Sequence, residues 1–395
     1  MFFRSTPRAP VREGAATELL GRGVENVVPR ELAEKKLRSG ERLRVYLGID
    51  PTGARLHLGH SVPLRKLKAF ADAGHHAIFL VGSFTAMVGD PTGRDTMREP
   101  LTREQVEENF KTYKTQASKI LDFSSVEIRY NHEWLEKMRF ADIMKLASHF
   151  TVQQMLERDM FQERLKRNEE LSPNEFLYPL MQGYDSVMLD VDVEIGGNDQ
   201  LFNMLAGRKL QAAFKKREKF VLTTKLIEGT DGRKMSKTYD NAVYLNDPPA
   251  EMFGKLMSLK DELMPGYFEV LTDVSAEEQK RILAGHPKDA KAALAEEIVK
   301  MYHGVDAAKT ARSEFAQTFT GDAAPESAPE VTLMNGIRNT LVANKIVASN
   351  SEFARLAEGG AIRVVGTDEK ITDPQASPAG KTLRIGKHRF VKIVK

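Results

Sequence analysis

The sequence contains no cysteine among its 395 residues. This absence excludes disulfide bonds, zinc sites built on thiolates and a thiol nucleophile, and it fits a reducing cytoplasm. Long apolar runs are also missing, since none approaches the ~18 residues that a membrane-spanning helix needs. The most apolar stretch, residues 77–82, is short and favours a buried strand. A cytoplasmic globular protein with no membrane partner is therefore expected.

Positive and negative side chains nearly balance over the whole chain, which has a net charge of only +3. The small excess of positive charge is unevenly distributed. Residues 336–395 carry eleven Lys and Arg against five Asp and Glu, so the rest of the chain is mildly acidic. A basic tail on an acidic body predicts contact with a polyanion, and RNA is the commonest candidate. A lysine-rich surface facing solvent would have the same composition.

A βαβ unit is predicted in the first part of the chain. Residues 44–50 are rich in β-branched and aromatic side chains and are followed by a turn, and residues 75–81 form a second strand. Between them, residues 61–73 have apolar side chains spaced for one helical face: Val62, Leu64, Leu67 and Phe70. Two strands joined by a helix imply a parallel sheet. Further strands are predicted at residues 126–130, 191–195 and 220–226, with helices at 102–121 and at 140–189, the latter interrupted at residues 172–174.

The predicted organisation is a catalytic domain over residues 1–245, with a helical insertion and an N-terminal arm at 1–30, then a helical domain at 246–320. A linker at 321–332 leads to a small α+β module at 333–395, with helices at 333–342 and 351–358 and strands at 361–365 and 382–394. Arginines near the N-terminus resemble an organelle transit peptide only faintly. Pro7 and Pro10 would break the helix that such a signal needs, so no cleaved presequence is expected.

Two short motifs carry candidate chemistry. His57-Leu58-Gly59-His60 comes where a strand ends and a helix begins, a place where backbone amides and the helix dipole attract phosphate. Residues 234–238 (KMSKT) follow a glycine-rich turn, and two lysines three apart can clamp a pyrophosphate as its charge develops. Taken separately, the first is more often structural and the second is more often an exposed basic turn.

Together, HLGH and KMSKT resemble the HIGH and KMSKS signatures of class I aminoacyl-tRNA synthetases, with Thr238 in place of the usual serine. Four further segments are similar to tyrosyl-tRNA synthetases of the bacterial type: residues 45–52 (VYLGIDPT), 88–94 (VGDPTGR), 178–185 (YPLMQGYD) and 196–200 (GGNDQ). Asn198 stands where Ser or Thr is usual in that family. The resemblance covers nearly the whole chain and implies an α/β, Rossmann-like parallel-sheet catalytic domain, an all-helical domain and a small RNA-binding module.

The implied reaction is activation of L-tyrosine by ATP, followed by transfer of tyrosine to the 3′-terminal adenosine of tRNA(Tyr). Mg²⁺ accompanies ATP, and neither a metal site on the protein nor a prosthetic group is expected. The implied catalytic residues are His57, His60, Thr52, Lys234 and Lys237, with Arg94 and Arg98 as additional candidates near the phosphates. ATP contacts are implied for Gly48, Asp50, His57, Gly59, His60, Asp199, Lys234 and Lys237.

For tyrosine, the resemblance implies that Tyr46 and Asp185 hold the phenol. It implies that Tyr178, Gln182 and Asp90 hold the ammonium, and that Gln200 is a further tyrosine contact. Helical spacing supports part of this set independently: Tyr178, Gln182 and Asp185 stand at i, i+4 and i+7, so they share one face among apolar neighbours. Such a polar face is more often solvated in an arbitrary helix.

The basic tail is similar to the small RNA-binding module of the bacterial-type enzymes. Its candidates for RNA backbone contacts are Arg338, Lys345, Arg355, Arg363, Lys387 and Arg389. The family resemblance also implies a homodimer, and DNA is not an expected partner. Three alternatives stay open at this point: a tryptophanyl-tRNA synthetase, an RNA-binding protein on a synthetase scaffold, and a nucleotidyltransferase that acts on something other than tRNA.

Overall fold

The computed structural model describes residues 13–92, 101–236, 239–320, 328–367, 369–386 and 389–394. Two compact units are present, one drawn from Met1–Asp247 and Ser258–Leu294, the other from Pro248–Met257 and Ala295–Lys395. Within the described ranges, no helix combines the length and the hydrophobicity needed to cross a bilayer.

The first unit is built on a six-stranded sheet in the order β1-β6-β5-β2-β3-β4. Its strands are β1 Val24–Val28, β2 Arg44–Ile49, β3 His76–Val81, β4 Glu127–Tyr130, β5 Val193–Gly197 and β6 Phe220–Thr224. All neighbouring pairs are parallel except β1 with β6. The predicted α/β parallel-sheet fold is therefore confirmed, with one antiparallel strand added at an edge.

Helices follow the strands and continue after the sheet. Those up to β6 are α1 Glu13–Leu19, α2 Arg30–Arg38, α3 Leu58–Asp72, α4 Thr85–Val88, α5 Arg103–Ala117, α6 His132–Leu135, α7 Phe140–Ala147, α8 Val152–Leu156, α9 Asp159–Lys166, α10 Pro173–Leu189 and α11 Leu201–Lys215. The later ones are α12 Pro249–Met257, α13 Met264–Leu271, α14 Ala276–Leu283, α15 Pro287–His303, α16 Val305–Thr320, α17 Ile337–Ala343 and α18 Asn350–Glu358. Short 3₁₀ turns cover Asn198–Gln200 and Asp261–Leu263.

The β2–α3–β3 unit forms as the sequence predicts. Residues 77–81 are all buried, as expected of a parallel strand covered on both faces. On α3 the four apolar side chains predicted to share a face, Val62, Leu64, Leu67 and Phe70, are buried. Because parallel strands end at the same edge of a sheet, this unit brings the residues that follow β2 beside the end of β3.

Three predictions for this unit are wrong in part. Residues 13–30 of the predicted N-terminal arm form α1, β1 and the start of α2. The predicted helix at 140–189 has more breaks than the one expected, and residues 172–174 are where α10 begins rather than where a helix is interrupted. Pro173 lacks a backbone N–H that the first helical turn would leave unpaired. The Ser172 backbone N–H donates to the Glu175 carboxylate at 2.7 Å, which caps that start.

The second unit contains helices α12 and α16 and a four-stranded sheet ordered β7-β10-β9-β8. These strands are β7 Glu330–Thr332, β8 Ile362–Val364, β9 Thr382–Ile385 and β10 Arg389–Val394. A compact apolar core, including Ile337, Leu341, Phe353, Leu383 and Ile393, lies between this sheet and helices α17 and α18. Ser349 caps α18, and Gly359 follows its last residue.

The boundaries in this unit differ from the prediction at two places. Glu330–Thr332, assigned to the linker, is strand β7 and pairs in parallel with β10. The helix expected to begin at residue 333 begins at Ile337, after the left-handed Gly336. Residues 321–327 of the predicted linker lie outside the described residues.

Candidate active site

A cleft of about 750 Å³ opens beside the carboxyl ends of β2 and β5, at the N-terminus of α3 and along one face of α10. This is the edge at which parallel α/β sheets bind ligands. Of the sequence-predicted residues, those lining the cleft are Tyr46, Gly48, Asp50, Thr52, His57, Gly59, His60, Asp90, Tyr178, Gln182, Asp185, Asp199, Gln200 and Lys234. Lys237, Arg94 and Arg98 lie outside the described residues.

The two histidines form the N-terminal cap of α3. The backbone N–H of Gly59 donates to Nδ1 of His57 at 3.1 Å, and the backbone N–H of His57 donates to Nδ1 of His60 at 3.2 Å. Burial, with a smaller effect of the neighbouring ring, lowers the pKa of His57 to about 3, and burial lowers that of His60 to about 4. Both rings are therefore neutral at pH 7 and carry their proton on Nε2, which leaves two hydrogen-bond donors for a phosphate.

The glycine between the two histidines is required by the ring beside it. A Cβ on Gly59 would lie 2.9 Å from Cε1 and 3.0 Å from Nδ1 of His57. Any larger residue would push the His57 ring away from the start of α3. The motif thus places a small residue where the cap and the cleft meet.

Asp50, at the end of β2, is held by two hydroxyl groups. Thr85 Oγ1 donates to its Oδ1 at 2.7 Å, and the Tyr178 hydroxyl donates to its Oδ2 at 2.8 Å. Burial, followed by the Asp50 charge, raises the pKa of Tyr178 well above its ordinary value, so the phenol stays protonated. A Cβ on Gly82, at the end of β3, would lie 1.8 Å from Asp50 Oδ1, so this site depends on glycine there.

Asp185 is a buried carboxylate of the cleft and accepts hydrogen bonds from two side chains. Trp134 Nε1 donates at 2.8 Å and Asn131 Nδ2 at 3.3 Å. Burial raises the pKa of Asp185 well above its ordinary value, and these two hydrogen bonds oppose the rise. Asn131 also donates to Thr85 Oγ1 at 2.9 Å and accepts from the Phe84 backbone at 2.8 Å.

A third acidic group borders the cleft at Asp90. Gln200 Nε2 donates to Asp90 Oδ2 at 2.8 Å, while the backbone and hydroxyl of Thr92 donate to Oδ1. Arg158, whose guanidinium donates to Thr92 Oγ1 at 2.9 Å, lies behind this group. Burial, and then the Asp90 charge, raises the pKa of nearby Asp199.

The predicted shared face of α10 is confirmed, because Tyr178, Gln182 and Asp185 all line the cleft. The environment of Tyr46 was not foreseen. Its hydroxyl lies 3.0 Å from Ser186 Oγ, and burial, followed by the Glu194 charge, raises its pKa well above the ordinary value. The phenol of Tyr46 is therefore already engaged by the protein.

Sequence reasoning missed four side chains that support this half of the cleft: Asn131, Trp134, Glu194 and Lys219. Only Glu194 carried a local signal, since it is a charged residue inside the apolar strand β5. The other three reach the site through tertiary packing, which no motif spacing records.

The loop that carries Lys234 is held from within by Asn241. The Asn241 amide donates to Asp231 Oδ1 at 2.7 Å and to the Lys234 carbonyl at 3.1 Å, and its oxygen accepts from the Ser236 backbone at 2.9 Å. A Cβ on Gly229 would lie 2.3 Å from the Asn241 side chain. The lysine that borders the cleft is thus fixed through its backbone.

The predicted RNA-contacting residues fall into two groups in the C-terminal module. Lys345, Arg355 and Arg363 are exposed. Arg389 instead donates to the Ile346 carbonyl at 2.5 Å and to the Glu352 carboxylate at 2.7 Å. Arg338 is partly buried, and Lys387 lies outside the described residues.

Comparison with known proteins extends over both units. A family model described as tRNA synthetases class I (W and Y) matches residues 38–320. The chain is 47% identical over 386 residues to the tyrosine–tRNA ligase of Oleidesulfovibrio alaskensis, covering 94% of this chain and 97% of that protein. It is 44% identical over 388 residues to the tyrosine–tRNA ligase of Thermotoga maritima, covering 95% and 96%. A C-terminally truncated mitochondrial tyrosyl-tRNA synthetase of Aspergillus nidulans matches with a TM-score of 0.67 at 26% identity, covering 78% of this chain and 95% of that chain.

Proposed function

The chain belongs to the tyrosine–tRNA ligases among the class I tRNA synthetases, and from this premise we propose that the cleft of the first unit is where tyrosine is activated. Tyrosine–tRNA ligation is the function of the chain, because relatives with that name match it over nearly its full length, the basic tail included. The same matches exclude the tryptophanyl alternative and do not favour an RNA-binding protein without catalysis. The observation that carries the assignment of the cleft is that the HLGH histidines, Lys234 and the polar face of α10 all line one cavity.

The tyrosine side chain is assigned to the deep end of the cleft, at Asp185. Its carboxylate is already oriented by Trp134 and Asn131, so it can meet a phenol hydroxyl without rearrangement. Phenylalanine has no hydroxyl to pair with the buried Asp185 carboxylate, so its binding would lose that hydrogen bond. Tyrosyl-tRNA synthetases are the standard example of discrimination by the loss of such a hydrogen bond. Tyr46, first assigned to the phenol as a direct partner, borders this end while its hydroxyl contacts Ser186.

The ammonium group is assigned to Gln182, Tyr178 and Asp90. Asp90 supplies the negative charge, and Gln200 lies against it. Tyr178 keeps its phenol proton because of burial and uses it on Asp50, so its oxygen remains able to accept a further hydrogen bond. These groups would hold the amino acid with its carboxylate toward the histidine end.

At that end ATP enters as its Mg²⁺ complex. The carboxylate of tyrosine attacks the α-phosphorus, the bond to the β-phosphate oxygen breaks, and tyrosyl-adenylate and pyrophosphate form. The Nε2–H groups of His57 and His60 and the N-terminus of α3 would stabilise the charge that develops on the phosphates, with Lys234 and Thr52 beside them. Lys237 is proposed to act with Lys234. Gly48, Asp50 and Asp199 are proposed to border the adenosine or the adenylate linkage. In the second step a ribose hydroxyl of the tRNA terminus attacks the adenylate carbonyl.

Amino-acid-dependent exchange of pyrophosphate into ATP tests this assignment. Tyrosine alone among the twenty amino acids should stimulate exchange. Lys234→Ala should lower the exchange rate by about 10²-fold, a usual effect of removing one group that stabilises transition-state charge. Lys111→Ala, which changes a solvent-exposed lysine on α5, is the control and should exchange like the wild type. Exchange that is unchanged in Lys234→Ala would contradict the placement of ATP.

The exposed basic side chains of the C-terminal module are proposed to contact tRNA(Tyr), chiefly those of Lys345, Arg355 and Arg363. Arg389 is proposed to stabilise the module instead, because its guanidinium is engaged by α18 and the Ile346 carbonyl. A triple Ala variant of the three exposed residues should bind the tRNA more weakly and with a shallower dependence on salt, while tyrosine-dependent exchange is retained. Equal tRNA affinity for both proteins would rule out this surface.

A homodimer and a cytoplasmic location complete the proposal. Support for the dimer comes from apolar side chains left exposed on α7 and α8: Phe140 is 77% exposed, Met144 55% and Val152 66%. Phe140→Asp should shift the protein toward monomers in light scattering coupled to size exclusion. The cytoplasmic location is supported by the bacterial relatives and by the absence of cysteine.

A further inference from the structure

A buried ion pair lies behind the tyrosine end of the cleft. The Lys219 ammonium, whose side chain is 0% exposed, contacts the Glu194 carboxylate, which is 2% exposed. Glu194 lines the cleft on β5, whereas Lys219 precedes β6 and does not line it. Replacing a buried ion pair with apolar residues is often neutral or stabilising. Stability alone therefore gives little reason for a lysine at this position.

The carboxylate of Glu194 connects Lys219 to residues that line the cleft. One oxygen, Oε2, accepts from Lys219 and from Ser186 Oγ at 3.2 Å, and the other, Oε1, accepts from Gln182 Nε2 at 3.2 Å. An amide carries its donor and its acceptor on opposite branches. With its nitrogen used by Glu194, Gln182 has its oxygen left for a ligand, and an oxygen is what a substrate ammonium requires.

A second branch from the same lysine leads to Tyr46. Lys219 Nζ donates to Ser186 Oγ at 2.5 Å, and Ser186 Oγ lies 3.0 Å from the Tyr46 hydroxyl. The ammonium is also 5.7 Å from the centre of the Tyr46 ring. The buried Lys219 ammonium is thus connected to two polar groups of the cleft. Glu194 connects it to Gln182, and Ser186 connects it to Tyr46.

A glycine on the neighbouring helix makes room for this arrangement. A Cβ on Gly207 of α11 would lie 2.7 Å from Ser186 Oγ and 2.8 Å from Lys219 Nζ. A helix interior normally disfavours glycine by about 1 kcal/mol relative to alanine. The position is explained by the space that the lysine and the serine need.

We propose that Lys219 is a positioning residue for the amino-acid substrate. Through Glu194 it keeps the oxygen of Gln182 turned to the cleft, and through Ser186 it holds the Tyr46 ring. This inference rests on the proposed tyrosine-binding role of the cleft. Without Lys219, the Glu194 carboxylate would lose its buried partner and the contact that fixes its orientation. The Gln182 amide would then be free to turn its nitrogen toward the ammonium of the substrate.

Lys219→Met tests the proposal, because it removes the positive charge and keeps an unbranched side chain of similar length. In pyrophosphate exchange the KM for tyrosine should rise about tenfold or more, the effect of losing one hydrogen bond to a charged group. The KM for ATP should stay unchanged. Lys36→Met is the matched control: it removes a lysine that pairs with Asp192 at 2.7 Å, just before the same strand β5, and it should change neither KM.

Adding Glu194→Gln to Lys219→Met should restore the KM for tyrosine, because a neutral amide oxygen can accept from Gln182 without a cation. An unchanged KM for tyrosine in Lys219→Met, or an equal rise for ATP, would overturn the proposal. If Lys219→Met does not fold, Gly207→Ala decides: its Cβ displaces Lys219, so a rise in the KM for tyrosine alone supports the proposal and no rise overturns it. A wild-type protein without tyrosine-dependent exchange would instead refute the proposed function itself.

Discussion

The stability of the first unit should fall between pH 7 and pH 5 because of the two buried histidines at the start of α3. Their pKa values in the folded protein are about 3 for His57 and about 4 for His60. An unfolded histidine has a pKa of about 6.5. The folded state therefore binds fewer protons, so these rings contribute stability above the unfolded pKa that is lost as the pH falls below it.

The size of this effect follows from the two pKa values. At pH 5 the folded rings are still mostly neutral, whereas unfolded rings are almost fully protonated, so unfolding takes up nearly one proton per ring. Integrated from pH 7 to pH 5, this linkage amounts to about 2 kcal/mol for each histidine. Both together would lower the free energy of unfolding by up to about 4 kcal/mol, a large part of the stability of an ordinary domain.

A double variant isolates the two rings. His57→Asn and His60→Gln remove both titrating groups and keep residue types that favour a helix N-terminus, Asn at the cap and Gln three residues later. Urea unfolding of both proteins at pH 7 and pH 5 is the assay. The wild type should lose more stability than the variant, by about 4 kcal/mol at most. Equal losses in the two proteins would show that the histidines are not held neutral by burial, and would remove the argument for their Nε2–H donors.

Other changes around the cleft have separate outcomes. Asn131→Ala should lower the free energy of unfolding in urea by about 2 kcal/mol and raise the KM for tyrosine. The reason is that it leaves the Phe84 backbone N–H and an Asp185 oxygen without a partner. Unchanged values of both quantities would contradict this prediction. Gly229→Ala should slow exchange at low ATP about tenfold while sparing the KM for tyrosine, because overpacking against Asn241 costs about 1–3 kcal/mol and displaces the Lys234 loop. Tyrosine should change the fluorescence of Trp134, the single tryptophan of the chain, and phenylalanine should not; equal responses would move the phenol away from Asp185.

The parts of the fold that sequence predicted are those with a local cause. The strand at 76–81 contains a continuous apolar run at residues 77–81, and α3 has its apolar side chains on one face, so both could be predicted from short windows. Strand β1 could not, because Val24–Val28 becomes a strand only by pairing with β6, nearly two hundred residues later. Pairing of this kind depends on the whole sheet rather than on local propensity.

The same distinction applies to the cleft. The face of α10 was predictable because Tyr178, Gln182 and Asp185 are fixed by helical spacing. Trp134 and Lys219 were not, because each contacts a cleft residue, Asp185 or Glu194, from a distant segment of the chain. The Tyr46 hydroxyl was assigned to the substrate from a family resemblance, and the contact with Ser186 depends on a neighbour that the motif does not include.

Strand β10 lies inside the sheet of the C-terminal module, between β7 and β9, and it buries Val391 and Ile393. It pairs in parallel with β7 and antiparallel with β9, so both of these strands depend on it for backbone partners. A substitution that detaches β10 would therefore expose two unpaired sheet edges together with the apolar core, and unpaired edges of this kind promote aggregation.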